Sequence, residues 1–134
     1  MPDASKRRLL AVDDHSDSAE LVARVAAKCG YDTQTVADPR SLRQMLDDWK
    51  PEVLTLDLCM PEADGIGLLS MLAESGFEGQ LVIISGQEVW LRKAAGRLAA
   101  LRGLKVADDM GKPVDLKALR QLLTDLSEAQ SAQA

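Results

Sequence analysis

Five short runs of β-branched and leucine residues alternate with five stretches of helical periodicity, and this alternation constrains the fold more than any other feature. The runs are Leu9 to Val12, Thr33 to Val36, Val53 to Leu58, Leu81 to Ser85 and Lys105 to Met110. Consecutive strands separated by a helix pair in parallel, because the crossover returns the chain to the same edge of the sheet. Parallel sheets bury both faces, so the expected architecture is an α/β fold with a doubly wound five-stranded parallel sheet. The third and fourth runs are almost wholly apolar and suit the centre; the second and fifth suit outer positions. With 134 residues, 46% of them hydrophobic, the chain is sized for one core rather than two.

The helices are bounded by start and stop chemistry. Asp17 with Glu20 resembles a capping box, followed by a buried face of Leu21, Val22, Val25 and Cys29 and a closing Gly30. Asp38 caps the second helix, Pro39 fits its first position, and Leu42, Met45, Leu46 and Trp49 follow helical spacing until Pro51. Ile66, Leu69 and Leu72 form a third stripe closed by Gly76, and Trp90, Ala94, Leu98 and Leu101 a fourth closed by Gly103. Asp115 caps a fifth helix carrying Leu116, Leu119, Leu123 and Leu126.

A net charge of −5 argues against a broad attraction to nucleic acid or anionic lipid, so neither is expected as a direct partner. The N-terminus lacks the long apolar region of a secretory signal, and no run approaches a membrane span. Cys29 and Cys59 have neither the number nor the spacing of a zinc site or a disulfide framework, which favours a cytoplasmic location and a packing role for Cys29.

In a doubly wound sheet, ligands bind beyond the carboxyl ends of the strands, near the point where strand order reverses. There the sequence places Asp13 and Asp14 after the first strand, Asp57 at the end of the third, Ser85 at the end of the fourth and Lys112 after the fifth. Three converging carboxylates repel one another unless a hard cation joins them, and oxygen ligands suit Mg²⁺ or Mn²⁺. With charge cancelled by the metal and Lys112, the Asp57 carboxylate can attack phosphorus, while Ser85 donates a hydrogen bond to a phosphoryl oxygen. Taken singly, an Asp-Asp pair caps a helix, a strand-end serine is ordinary, and Lys112 before Pro113 is a turn. Asp57 is different, because an acid inside an apolar strand is costly unless compensated. His15, the only histidine, is expected to face solvent rather than a metal.

These residues resemble the response-regulator receiver domains of two-component signalling. The segment from Asp57 to Leu69, with Met60-Pro61 and Asp64-Gly65, is similar to that family's phospho-acceptor segment; Asp13-Asp14, Ser85-Gly86 and Lys112-Pro113 match its other motifs. The resemblance implies a flavodoxin-like sheet of order 2-1-3-4-5 and a receiver domain over residues 7–126. Residues 1–6 would form a disordered tail and residues 127–134 a tail or linker start. It further implies Asp57 as phosphoacceptor for a sensor histidine kinase or phosphotransfer protein, and catalysis of nothing beyond the domain's own phosphorylation and dephosphorylation. Asp14, Asp57 and the Cys59 backbone carbonyl would be direct metal ligands, with Asp13 acting through water. Ser85 would be the switch hydroxyl, the Lys112-Pro113 peptide would be cis, and the output would be a downstream effector domain or protein, or a homodimer.

One position departs from the family. Three residues before its lysine, receivers usually carry Tyr or Phe, whose ring turns inward on activation; this chain has Asp109, expected to stay outside in both states. The alanine-rich fourth helix is similar to receivers joined to cyclic-di-GMP phosphodiesterase domains. The main alternative is a pseudo-receiver, an interaction module not regulated by phosphorylation, against which the complete acid, hydroxyl and lysine set argues. A haloacid dehalogenase phosphatase would carry Asp-x-Asp after the first strand, and a flavodoxin-like FMN carrier a phosphate loop that Asp13 and Asp14 would repel.

Overall fold

Each of the five apolar runs forms a strand, and every strand pair is parallel. The computed structural model describes residues 6–59 and 64–132; residues 1–5, 133–134 and the Met60-Pro61 part of the phospho-acceptor motif lie outside the described residues. The elements are β1 (Arg8–Val12), α1 (Ser16–Lys28), β2 (Asp32–Val36), α2 (Pro39–Asp48), β3 (Val53–Leu56), α3 (Gly65–Glu74), β4 (Gln80–Ser85), α4 (Val89–Leu101), β5 (Lys105–Gly111) and α5 (Leu116–Ala132). Strand order is β2-β1-β3-β4-β5, so the order reverses between β1 and β3, where Asp13, Asp14 and Asp57 emerge.

Alternation along the strands divides the core in two. Leu10, Val12, Leu54, Leu56, Leu81 and Ile83 face Leu42 of α2, Leu68, Leu69 and Leu72 of α3 and Ala99 of α4. Leu9, Ala11, Val53, Val82 and Ile84 face Ala19, Val22 and Ala26 of α1 and Leu119 and Leu123 of α5. Burying one such leucine contributes about 1.5–3 kcal/mol.

Helix boundaries follow the expected chemistry at α2, where Asp38 accepts from Ser41 N–H at 2.7 Å, and at α5, where Asp115 accepts from Lys117 and Ala118 N–H at 3.1 Å each. Gly30, Gly76 and Gly103 all have positive φ just past their helices. At α1 the expectation fails: the cap position belongs to His15, with no side-chain cap bond, and Asp17 lies inside the first turn. Ahead of the helix, the Asp13 carboxylate accepts from His15 N–H at 2.9 Å and fixes the entering chain. Leu21 and Ile66, expected in buried stripes, are exposed. β3 ends at Leu56, and α5 continues helically to Ala132.

The largest correction concerns α4. Trp90 is 66% and Leu101 84% exposed, Ala94 is exposed and Leu98 half-buried, so the expected stripe points mostly outward. The helix turns Ala95 and Ala99 to the core instead, and a Cβ on Gly96 would stand 3.9 Å from Val106 Cγ1. Ile83, Leu104 and Val106 already fill that side of the sheet, so small residues on α4 let its backbone approach. Volume, rather than hydrophobicity, chose the buried face.

Tyr31, the only tyrosine, is 3% exposed and donates its hydroxyl to Leu123 C=O at 2.7 Å. Burial, then the neighbouring Cys29, pushes its pKa up from 10.0 to about 12. The unfolded chain therefore loses this proton first, and stability should fall as pH rises from 10.0 to about 12. Absorbance titration should show tyrosinate appearing only with unfolding, and Tyr31→Phe should remove that pH dependence while costing about 1 kcal/mol at neutral pH. Tyrosinate forming in the folded protein at the ordinary phenol pKa would contradict this packing.

Candidate functional site

The topology delivers the polar strand ends to one place. Asp57 N–H donates to Val12 C=O at 2.9 Å, which seats the end of β3 against β1 and brings the Asp57 side chain beside Asp13 and Asp14. Lys112 N–H donates to Ser85 C=O at 3.1 Å, closing the other side, and the Lys112-Pro113 peptide is cis.

The Lys112 ammonium holds the centre, with Nζ 2.7 Å from Asp13 Oδ2 and 2.9 Å from Asp57 Oδ2. The remaining oxygens of these two carboxylates take backbone donors: Asp13 Oδ1 accepts from His15 N–H, and Asp57 Oδ1 from Cys59 N–H at 2.9 Å. Asp57 is 3% exposed, and burial raises its pKa above the usual carboxylate range. The Cys59 N–H and Lys112 pull it back without cancelling that, and Asp13 adds to the rise. Burial works against the charge on Lys112, but hydrogen bonds to Asp13 and Asp57 outweigh it and raise its pKa.

Asp14 breaks this balance. Its Oδ1 is buried and accepts no hydrogen bond among the described residues. The nearest cation is His15 Nδ1 at 3.2 Å, on a side chain 71% exposed, which counts only when the imidazole is protonated. One ligand atom from each of Asp13, Asp14, His15 and Asp57 falls within a 4.8 Å cluster. An acceptor-only group left buried without a donor costs stability, and a hard divalent cation is the partner that oxygen-rich geometry suits. The donor set therefore fits Mg²⁺ or Mn²⁺ better than a thiophilic metal. Beside it, a cavity of about 430 Å³ runs from Asp13, Asp57 and Lys112 down to Ala19 and Val22.

The hydroxyl side is also in position. Ser85 Oγ accepts from Gln87 N–H at 3.2 Å and lies 3.7 Å from Cys59 Sγ, so the β4–α4 loop faces Asp57 across the cleft. Every sequence-selected residue thus meets at one sheet edge. His15 is solvent-facing as expected, although its backbone N–H orients Asp13.

Asp109 stands differently from the expectation. Its side chain, 12% exposed, is tucked between β5 and α4, with Oδ1 3.0 Å from Arg92 Nη1 and Oδ2 2.9 Å from Lys93 Nζ. A bulge in β5 at Ala107 shifts the register, so that Asp109 stands opposite Ile83 and Gly111 opposite Ser85. Sequence reading assigned no role to Arg92 or Lys93. The available signal was a carboxylate on an edge strand that a helix must cover, which calls for a cation on that helix.

Comparison with known proteins agrees with this geometry. The family model described as response regulator receiver domain matches residues 9–124. A crystal structure of a response regulator from Colwellia psychrerythraea superposes with a TM-score of 0.82 at 30% identity, covering 92% of this chain and 98% of that one. A protein-glutamate methylesterase/protein-glutamine glutaminase of Myxococcus xanthus is 35% identical over 98 residues, covering 70% of this chain but 28% of its own length. The transcriptional regulatory protein TrcR of Mycobacterium tuberculosis is 28% identical over 118 residues, 87% of this chain and 44% of its own. The chain spans less than half the length of these two relatives, and what the three share with it is one domain. The chain belongs to the response-regulator receiver domain family.

Proposed function

We propose that Asp57 accepts a phosphoryl group from the phosphohistidine of a sensor histidine kinase or phosphotransfer protein, with Mg²⁺ or Mn²⁺ bound alongside. The observation that carries this reading is the incomplete charge compensation at the site: Lys112 bridges Asp13 and Asp57, while Asp14 Oδ1 has no hydrogen-bond donor among the described residues. Asp14, Asp57 and the Cys59 backbone carbonyl would hold the metal directly and Asp13 through water. When bound, the metal neutralises charge on the carboxylates and on the incoming phosphoryl group.

The protein groups supply the rest. An Asp57 carboxylate oxygen forms the new P–O bond in line as the P–N bond to the donor imidazole breaks, leaving a neutral imidazole and an acyl phosphate. Lys112 transfers its ammonium from the free carboxylate to the phosphoryl oxygens, so its positive charge stays in place throughout. The Ser85 hydroxyl gives up its exchangeable contacts with Gln87 N–H and Cys59 Sγ and donates to a phosphoryl oxygen. Attack by water on phosphorus later releases inorganic phosphate and restores the carboxylate. Self-phosphorylation and dephosphorylation are the whole of the chemistry, and the output is a changed interaction with a downstream effector domain or protein. No helix among the described residues is long and apolar enough to cross a membrane; a cytoplasmic setting, where such kinases present their phosphohistidine, fits this role.

Acetyl phosphate with Mg²⁺ should add one phosphoryl group to the chain, read by intact mass. Asp57→Asn and metal chelation should each remove the adduct, and an adduct that survives either would place the acceptor elsewhere. Millimolar Mg²⁺ should also raise the melting temperature by linkage, and Asp14→Ala should lose most of that rise. A melting temperature indifferent to Mg²⁺ in the parent would rule out the acidic metal site.

A further inference from the structure

Asp109 stands where the receiver resemblance leads one to expect an aromatic ring, so the route from Asp57 to the protein surface falls to other residues. The side chain that lies against β5 here is Arg92, in the first turns of α4. Its Nη1 bonds Asp109, and its Nη2 would stand 3.4 Å from a Cβ placed on Gly111. The guanidinium therefore lies against Gly111, within van der Waals reach of the space a side chain there would take. Gly111 is also the register partner of Ser85, on the neighbouring strand about 4.8 Å away. Paired residues share a face of the sheet, so Arg92 and the Ser85 hydroxyl occupy the same side of the cleft rim. The bulge at Ala107 makes this possible: with regular alternation, Asp109 would point to the α5 side and leave Arg92 without its carboxylate.

We propose that the Asp109–Arg92 pair, assisted by Lys93, is an ionic latch that holds the start of α4 on β5 while Asp57 is free and opens when Asp57 carries a phosphoryl group. The proposal rests on the receiver reading of Asp57. Ser85 moving toward a phosphoryl oxygen draws with it the loop through Gly86 and Gln87 to Glu88, which caps α4. Arg92 lies one turn further, and Arg92 N–H donates to Glu88 C=O at 3.1 Å, so that turn moves as a unit. Movement of the turn pulls the guanidinium away from Asp109 and Gly111. Two features make the latch releasable rather than permanent. Arg92 Nε is buried without an acceptor among the described residues, so opening lets that donor find water. The phosphoryl group also brings additional negative charge to the same end of the sheet, which competes with Asp109 for the guanidinium.

Arg92 and Asp109 are thus positioning residues that act through the Ser85 loop. Breaking the latch should lower the cost of the activated arrangement and tighten binding of a phosphoryl mimic. Trp90, 66% exposed beside Arg92, reports on this turn once Trp49 is changed to Phe. In that background of the full chain with Mg²⁺, beryllofluoride titrations followed by Trp90 emission should give an apparent affinity about fivefold tighter in Asp109→Asn and in Arg92→Gln, the lower end of ordinary coupling between sites. The double variant should be no tighter than either single one, and Arg92→Lys should stay nearer the parent. Lys93→Gln should change little, because that side chain is 56% exposed. Unchanged or weakened affinity in both single variants, or effects that multiply in the double, would overturn the latch. Hydrogen exchange across residues 88–95 without any mimic reads the latch independently of Asp57: faster exchange in Asp109→Asn supports it, and unchanged exchange overturns it. A parent that takes up no beryllofluoride while exchange responds would overturn the receiver reading of Asp57, and with it the opening step.

Discussion

Everything at the carboxyl edge of the sheet is arranged around one ammonium group. Lys112 Nζ lies within hydrogen-bond distance of two buried carboxylates that come from different strands, and no other cation among the described residues reaches Asp57. Without it, Asp13 and Asp57 would stand side by side with backbone N–H groups and, when protonated, the exposed His15 imidazole as their compensation among the described residues, an arrangement that low-dielectric surroundings penalise by several kcal/mol per uncompensated charge. One ammonium cannot answer three carboxylates, and Asp14 is the one left over. A site built this way is stable enough to fold and still incomplete in charge, which is what a pocket needs if it is to gain a cation and then an anion.

The parallel sheet determines which residues can share this edge. Order reversal between β1 and β3 puts the Asp13-Asp14 pair beside Asp57, and pairing of β4 with β5 puts Ser85 beside Gly111 and Lys112. The protein needs no long loops to assemble the site, because each contributing residue ends a strand or directly follows one. The same geometry ties the site to α4: Ser85 is two peptide units from Gln87, Glu88 caps the helix, and Arg92 returns to β5 one turn later. Occupancy of the pocket and position of the helix are coupled by covalent connectivity on one side and by an ion pair on the other. Around that helix, Val89, Trp90 and Leu101 remain exposed, so any motion of α4 re-presents an apolar surface.

Most of this was legible in the sequence because it rests on period and on strand ends. Alternating apolar runs specified the strands, and Asp57 inside an apolar run marked the site, since burial of a carboxylate demands partners. What was not legible depended on volume and register. The α4 stripe of Trp90, Ala94, Leu98 and Leu101 has good helical spacing, yet the crowded sheet beneath accepts Ala95, Gly96 and Ala99 instead. Asp109 faces α4 only because Ala107 is an extra residue in β5, and a bulge in a parallel edge strand leaves no mark in the hydrophobic pattern. The start of α1 departs from the Asp17 capping pattern because the helix begins two residues earlier, at Ser16 after His15, whose N–H is held by the site residue Asp13.

In the proposed phosphotransfer, Asp14 and Asp57 complete their coordination with a cation while Lys112 moves from carboxylate to phosphoryl group. A crystal structure of the chain grown with Mn²⁺ and beryllofluoride tests it most directly, since the anomalous signal of manganese locates the ion without assumption. Manganese should be bonded to Asp14 and Asp57 oxygens, beryllium to the other Asp57 oxygen, and Lys112 Nζ should lie within hydrogen-bond distance of a fluorine. Manganese bound away from Asp14, or beryllofluoride absent from Asp57 with Lys112 still bridging Asp13 and Asp57, would contradict it.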